Sequence, residues 1–124
     1  MNLQVQIGHI EFFVKNPLAS KEFYCNVLRF EEMVIQAGNF VWLKKDHLEI
    51  LLRPQTSGST SIASTDSYEK SKIGLVLYTD DLQKTAKELE LRGLNFKGTI
   101  DSDKCLTFTD LDGNWFQLVN PNDH

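Results

Sequence analysis

The sequence predicts an α+β fold, with two βαβββ modules inside a single domain of 124 residues. Three observations predict it. The order strand, helix, three strands occurs twice, the two runs can be laid in register, and a Ser/Thr-rich stretch separates them.

Residues 5–15, Val-Gln-Ile-Gly-His-Ile-Glu-Phe-Phe-Val-Lys, are rich in strand formers, and Asn16-Pro17 ends the run. From 18 to 28 the apolar Leu18, Ala19, Phe23, Val27 and Leu28 recur near helical spacing. Pro17 then falls in the first turn, where its missing N–H does no harm. Short strands follow around 30–35, 39–44 and 47–53, with turns at Ala37-Gly38 and Lys45-Asp46. In the second half, 73–79 reads as a strand and Asp80-Asp81 as an N-cap cluster. A helix over 82–92 is stopped by Gly93. Strands follow around 95–100, 104–109 and 114–120, and Asp112-Gly113 reads as a tight hairpin turn. The domain therefore divides into module one at 5–54, a loop at 55–71 with room for a short helical turn, and module two at 72–121.

The register of the two halves assigns faces. Ile10, Phe12 and Val14 match Leu75, Leu77 and Thr79, while Leu48 and Ile50 match Phe116 and Leu118. Alternate strand residues share a side, so these positions pack against the helices. The opposite side carries His9, Glu11 and Phe13, then His47, Glu49 and Leu51. Its second-half counterparts are Gly74, Val76 and Tyr78, then Trp115, Gln117 and Val119. That mixed, aromatic face lines a groove, and Trp42 joins it if its strand keeps phase.

Composition limits the function. The chain is 41% hydrophobic and 24% charged, which excludes disorder and fibrous repeats. A net charge of −4 offers no basic excess for nucleic acid. No apolar run is long enough to span a bilayer, and Met1 to Gly8 does not read as a signal peptide. The expectation is a cytoplasmic protein with no membrane partner, its Cys25 and Cys105 both free thiols and Cys25 buried on the first helix. Dinucleotide, phosphate-loop and serine-hydrolase motifs are absent. His47 is expected at a solvated strand end, and His124 is terminal.

The order and spacing of several short motifs resemble the vicinal oxygen chelate superfamily of glyoxalases, bleomycin-resistance proteins and extradiol dioxygenases. The residues carrying this are His9-Ile10-Glu11-Phe12-Phe13-Val14, then Phe23-Tyr24 and Leu28-Arg29-Phe30. Tyr78-Thr79-Asp80-Asp81-Leu82 is similar to the start of the family's second module, and Phe108 to Leu118 to its closing hairpin. The resemblance implies a curved mixed sheet around a groove, helices on the outer face, and a homodimer. Arg29 departs from it, standing where the family has glycine, which implies a strained left-handed residue or a different turn.

The family's metal-ligand positions fall on His9, Glu49, Gly74 and Gln117. Gly74 offers no donor, and Gln117 replaces a carboxylate with a neutral amide. The resemblance therefore implies no cofactor. The alternative is a divalent metal (Zn, Ni, Mn or Fe) on the reduced set His9, Glu49 and Gln117 with water. Glu11 shares the face of His9 and Glu49. Such an acidic cluster can hold a cationic ligand, or raise one carboxyl pKa and make Glu11 a candidate base; the alternative is a Glu11 that reaches solvent at the groove rim. The expected function is binding of a small molecule in an aromatic, acidic groove lined by His9, Glu11, Phe13, Trp42, Glu49, Tyr78, Trp115 and Gln117. The alternatives are a metal-dependent lyase, isomerase or dioxygenase of the same superfamily, and an interaction module whose groove is a dimer interface.

Overall fold

The computed structural model describes residues 4–56 and 66–123 of the chain. The first half runs β1 (Ile10–Val14), α1 (Pro17–Glu22), β2 (Glu31–Gln36), β3 (Phe40–Lys45) and β4 (Leu48–Pro54). The second runs β5 (Gly74–Tyr78), α2 (Leu82–Leu91), β6 (Thr99–Ile100), β7 (Ser102–Thr109) and β8 (Trp115–Val119). They form two four-stranded sheets, ordered β1-β4-β3-β2 and β5-β8-β7-β6. In each, the first and last strands run parallel and the others antiparallel. Parallel neighbours need a long crossover, which the helix and two intervening strands supply. The α+β class read from the sequence is thus the observed one, with few helices. The curved sheet comes as two open halves that share no ladder.

Several elements are shorter or differently shaped than the pattern predicts. The first strand covers only Ile10–Val14, because residues 4–9 lie exposed without a ladder partner and Ile7 is 97% exposed. The helix predicted over 18–28 is α-helical only to Glu22 and continues as a π-helical turn, Phe23–Val27. Asn16 caps its start through Ala19 N–H. The wider turn carries Tyr24 into full burial, whereas Cys25 stays half-buried rather than buried. The strand predicted over 95–100 contracts to Thr99–Ile100, although Lys97 N–H still bonds the Thr107 carbonyl at 2.7 Å.

Asp112-Gly113 is not a two-residue hairpin. β7 and β8 are joined by five residues wound around Asp110, whose Oδ1 accepts from the Asp112 and Asn114 backbone N–H groups, both at 2.9 Å. One carboxylate thereby satisfies donors that a tight turn would pair by backbone alone. Within the loop predicted over 55–71, Tyr68–Lys70 forms a single 3-10 turn, and residues 57–65 lie outside those described, as does His124.

Of the positions predicted to face inward, Phe12, Val14, Ile50, Phe116 and Leu118 are buried in the core, whereas Ile10, Leu48, Leu75, Leu77 and Thr79 are half-buried. Leu51, Trp115 and Val119, assigned to the opposite face, are buried as well. Val14, Leu43, Ile50, Leu52, Phe108 and Phe116 are buried together under the helices. Aromatic rings carry this core from one sheet to the other. Phe116 stacks on Phe108 at 5.0 Å and meets Phe12 at 6.2 Å and Tyr24 at 6.0 Å. Since the sheets exchange no ladder bonds, this side-chain packing and the Tyr24–Asp110 hydrogen bond tie them together.

Candidate functional site

Strand register lays out the face of the first sheet opposite the core. In one row, Phe13 on β1 is the register partner of Arg53 on β4, and Phe40 on β3 follows. The Arg53 guanidinium lies 5.4 Å from the Phe13 ring centroid and 5.5 Å from that of Phe40. In the next row Glu11, Leu51, Trp42 and Val34 align across all four strands. Leu51 is buried and forms the floor.

A polar belt crosses these rows. Arg53 Nη1 donates to Glu11 Oε1 at 2.7 Å, and Glu11 Oε2 accepts from His9 Nε2, also at 2.7 Å. His9 sets its ring edge-on to Trp42 with centroids 4.5 Å apart. Trp42 Nε1 in turn donates to Gln36 Oε1 at 3.0 Å. The site therefore brings together His9, Glu11, Phe13 and Trp42, as the alternation predicts. It also enlists Arg53, Phe40 and Gln36, which are not among the expected site residues. The signal was present: Arg53 has the strand parity of Glu49 and Leu51, and Phe40 that of Trp42.

Glu11 differs from the expected acidic cluster. Its neighbours are a guanidinium and an imidazole, and hydrogen bonds from Arg53 and then His9 hold its carboxyl below the ordinary carboxylate range. The direction is opposite to that expected of a proton-abstracting base. Glu49 falls beside His9 by register and is exposed, yet it forms no ion pair among the described residues.

The second sheet contributes a different wall. Tyr68, from the connecting segment, lies over Gly74 on β5. A Cβ at position 74 would meet Tyr68 Oη at 2.5 Å and the ring at 2.6 Å, so only glycine leaves room for the phenol. Gln117 Nε2 donates to that oxygen at 3.2 Å, and Trp115 meets the ring edge-on at 6.3 Å. Trp115 and Gln117 thus gather around Tyr68, a contact from a distant loop that no periodicity announces. Tyr78 sits elsewhere, 73% exposed in a cleft with Lys45 and His47. His47 is exposed, as expected of a strand end.

These residues fit a metal poorly. Among the described residues no three His, Cys, Asp or Glu side chains converge as a metal-holding group. The bond to a carboxylate places the proton on His9 Nε2, which removes that lone pair from coordination. Gly74 gives no donor, and Gln117 is turned to Tyr68.

Two four-stranded mixed sheets with the same strand order, one bearing an aromatic, charge-paired face, define a class of small α+β proteins. The profile of the Glyoxalase/Bleomycin resistance protein/Dioxygenase superfamily matches residues 6–118, and the chain belongs to that superfamily. No curated protein matches the sequence. Solved structures share the fold at low identity. One is a mutant of the genomically encoded fosfomycin resistance protein FosX from Listeria monocytogenes, complexed with manganese(II) and 1S,2S-dihydroxypropylphosphonic acid. It is 16% identical with a TM-score of 0.68, over 94% of this chain and 90% of that one. Lactoylglutathione lyase from Agrobacterium tumefaciens is 15% identical with a TM-score of 0.66, over 94% and 93%. UcmS2 is 20% identical with a TM-score of 0.70, over 94% and 98%.

Proposed function

We propose that the chain is a small-molecule binding protein that holds its ligand on the aromatic face of the first sheet without a complete metal site. The observation that carries this reading is the row Phe13, Arg53, Phe40 beside Trp42, with Phe13 52% exposed. Flat rings around a fixed guanidinium offer a preorganised surface for a planar ligand at low entropic cost. His9 and Glu11 orient the polar edge of the ligand, and Trp115 and Gln117 contribute from the second sheet. Glu49, exposed beside His9, supplies the remaining carboxylate and the acidic character of that end. Binding without a covalent step is sequestration. The reading includes a cytoplasmic homodimer, whose oligomeric state light scattering measures directly.

Tryptophan fluorescence tests it. A screen of planar aromatic compounds is expected to give a saturable change in a Trp115→Phe background, where Trp42 reports, and the change disappears in Phe13→Ala. The reading is overturned if dialysis against zinc, nickel or manganese loads stoichiometric metal that His9→Ala abolishes. That outcome installs the metal-dependent alternative, with His9, Glu49 and Gln117 as ligands.

A further inference from the structure

A sizeable concavity lies apart from this face. A cleft of about 490 Å³ runs along the free edge of β5, lined by Phe30, Lys45, His47, Leu48, Leu77 and Tyr78 among others. A second of about 240 Å³ adjoins it, lined in part by Leu28, Arg29, Leu89 and Arg92, and shares Lys45, Leu77 and Tyr78 with the first. Together they form one trough. None of His9, Glu11, Phe13, Trp42 or Arg53 lines it.

Its charges are unevenly committed. Arg92 and Glu88 pair at 2.7 Å and are satisfied by one another. Arg29 and Lys45 form no ion pair among the described residues, and Lys45 Nζ sits 5.9 Å over the Phe30 ring. The larger cleft holds Lys45, His47 and the carboxylate of Asp46, and Arg29 lines the smaller one, where Lys45 also reaches.

Arg29, beside Lys45 in the smaller cleft, has its backbone at φ +63, the left-handed region where a β-carbon is crowded and glycine is relaxed. Asp46 of the larger cleft shares this left-handed backbone at φ +55, so two of the charged residues at this end sit on constrained turns. We propose that this trough is a second ligand site, which takes an amphipathic organic anion. Its apolar body rests on Leu48, Leu75 and Leu77, and its anionic head lies between Arg29 and Lys45. The volume is in the range of small-molecule pockets, and an apolar floor with few polar groups at one end fits such a ligand.

The probe is 8-anilinonaphthalene-1-sulfonate, an aromatic body bearing a sulfonate, titrated into the whole chain by fluorescence. The expected result is saturable binding, displaced by octanoate and not by octanol at equal concentration. Arg29→Gly and Lys45→Met each weaken it roughly tenfold, as loss of one charge-assisted contact does. Arg29→Gly also raises the melting temperature by relieving the backbone, so its weaker binding cannot be ascribed to unfolding. The proposal is overturned if both variants bind the dye as the parent does, or if octanol displaces it as well as octanoate. It is equally overturned if binding falls as protein concentration rises, because a second copy then covers the trough.

Discussion

Tyr24 Oη donates to Asp110 Oδ2 at 2.6 Å, a buried hydrogen bond between residues far apart in sequence. It fastens the π-helical turn after α1 to the loop joining β7 and β8. The same carboxylate oxygen also accepts from Asn114 Nδ2 at 2.8 Å. Tyr24→Phe leaves the carboxylate short of one donor in a buried place and is expected to cost about 1.5–3 kcal/mol, read by urea unfolding. An unchanged midpoint would show that Asp110 organises its loop without the phenol.

The same pair fixes a pH dependence. Burial, then the Asp110 charge, pushes the Tyr24 phenol well above its ordinary 10.0. The folded state retains a proton that the unfolded state releases, so this contribution is complete below about pH 10 and declines as pH rises beyond it. Thermal unfolding between pH 9 and 11 should fall more steeply for the parent than for Tyr24→Phe.

Arg53→Met is expected to return the Glu11 carboxyl toward its ordinary 4.5, since the Arg53 hydrogen bond is the leading cause of its lowering. Carbon-13 NMR of the Glu11 carboxyl measures this directly. Any stability linked to Glu11 is in place above that ordinary value and is lost as pH falls through the lowered one. An unmoved titration in the variant would mean that His9 alone governs Glu11.

Gly74→Ala places a Cβ against Tyr68 and should swing the phenol off the second sheet. Because the obstructing atoms are the far end of one side chain, the stability loss is expected to be about 1 kcal/mol. Tyr68→Ala should remove most of that penalty in the double variant, giving a coupling that a thermodynamic cycle detects. Additive losses would separate the two positions.

Titration with zinc, nickel or manganese should leave the chain substoichiometric in metal. Tyr68→Phe should not change this, because the phenol occupies space without completing a donor set. Metal measured on the dialysed protein decides the matter.

Much of this was legible from residue order. Alternation put Ile10, Phe12 and Val14 inward and His9, Glu11 and Phe13 outward, because a strand has a strict period of two. The π-helical turn escaped notice because a few residues at a wider pitch leave no distinct periodicity in 18–28. Arg53 belonged to the readable pattern, but its consequence for Glu11 did not. The shared face brings Glu11 and Glu49 to one side, but alternation alone does not say that the Arg53 guanidinium crosses from β4 to pair with Glu11. Tyr68 was out of reach, since a loop side chain landing on a sheet is set by tertiary packing. The bare Gly74 was its one trace.

The absence of a ladder between the two sheets has a mechanical result. Backbone hydrogen bonds fix the spacing and register within each sheet, but the angle between sheets depends on the bulk of Phe12, Tyr24 and Phe116 wedged at the joint. A volume change at one of those rings alters the angle between the sheets while each sheet keeps its own geometry. The placement of the two sheet faces relative to each other can therefore be changed from inside the core, without touching a residue on either face.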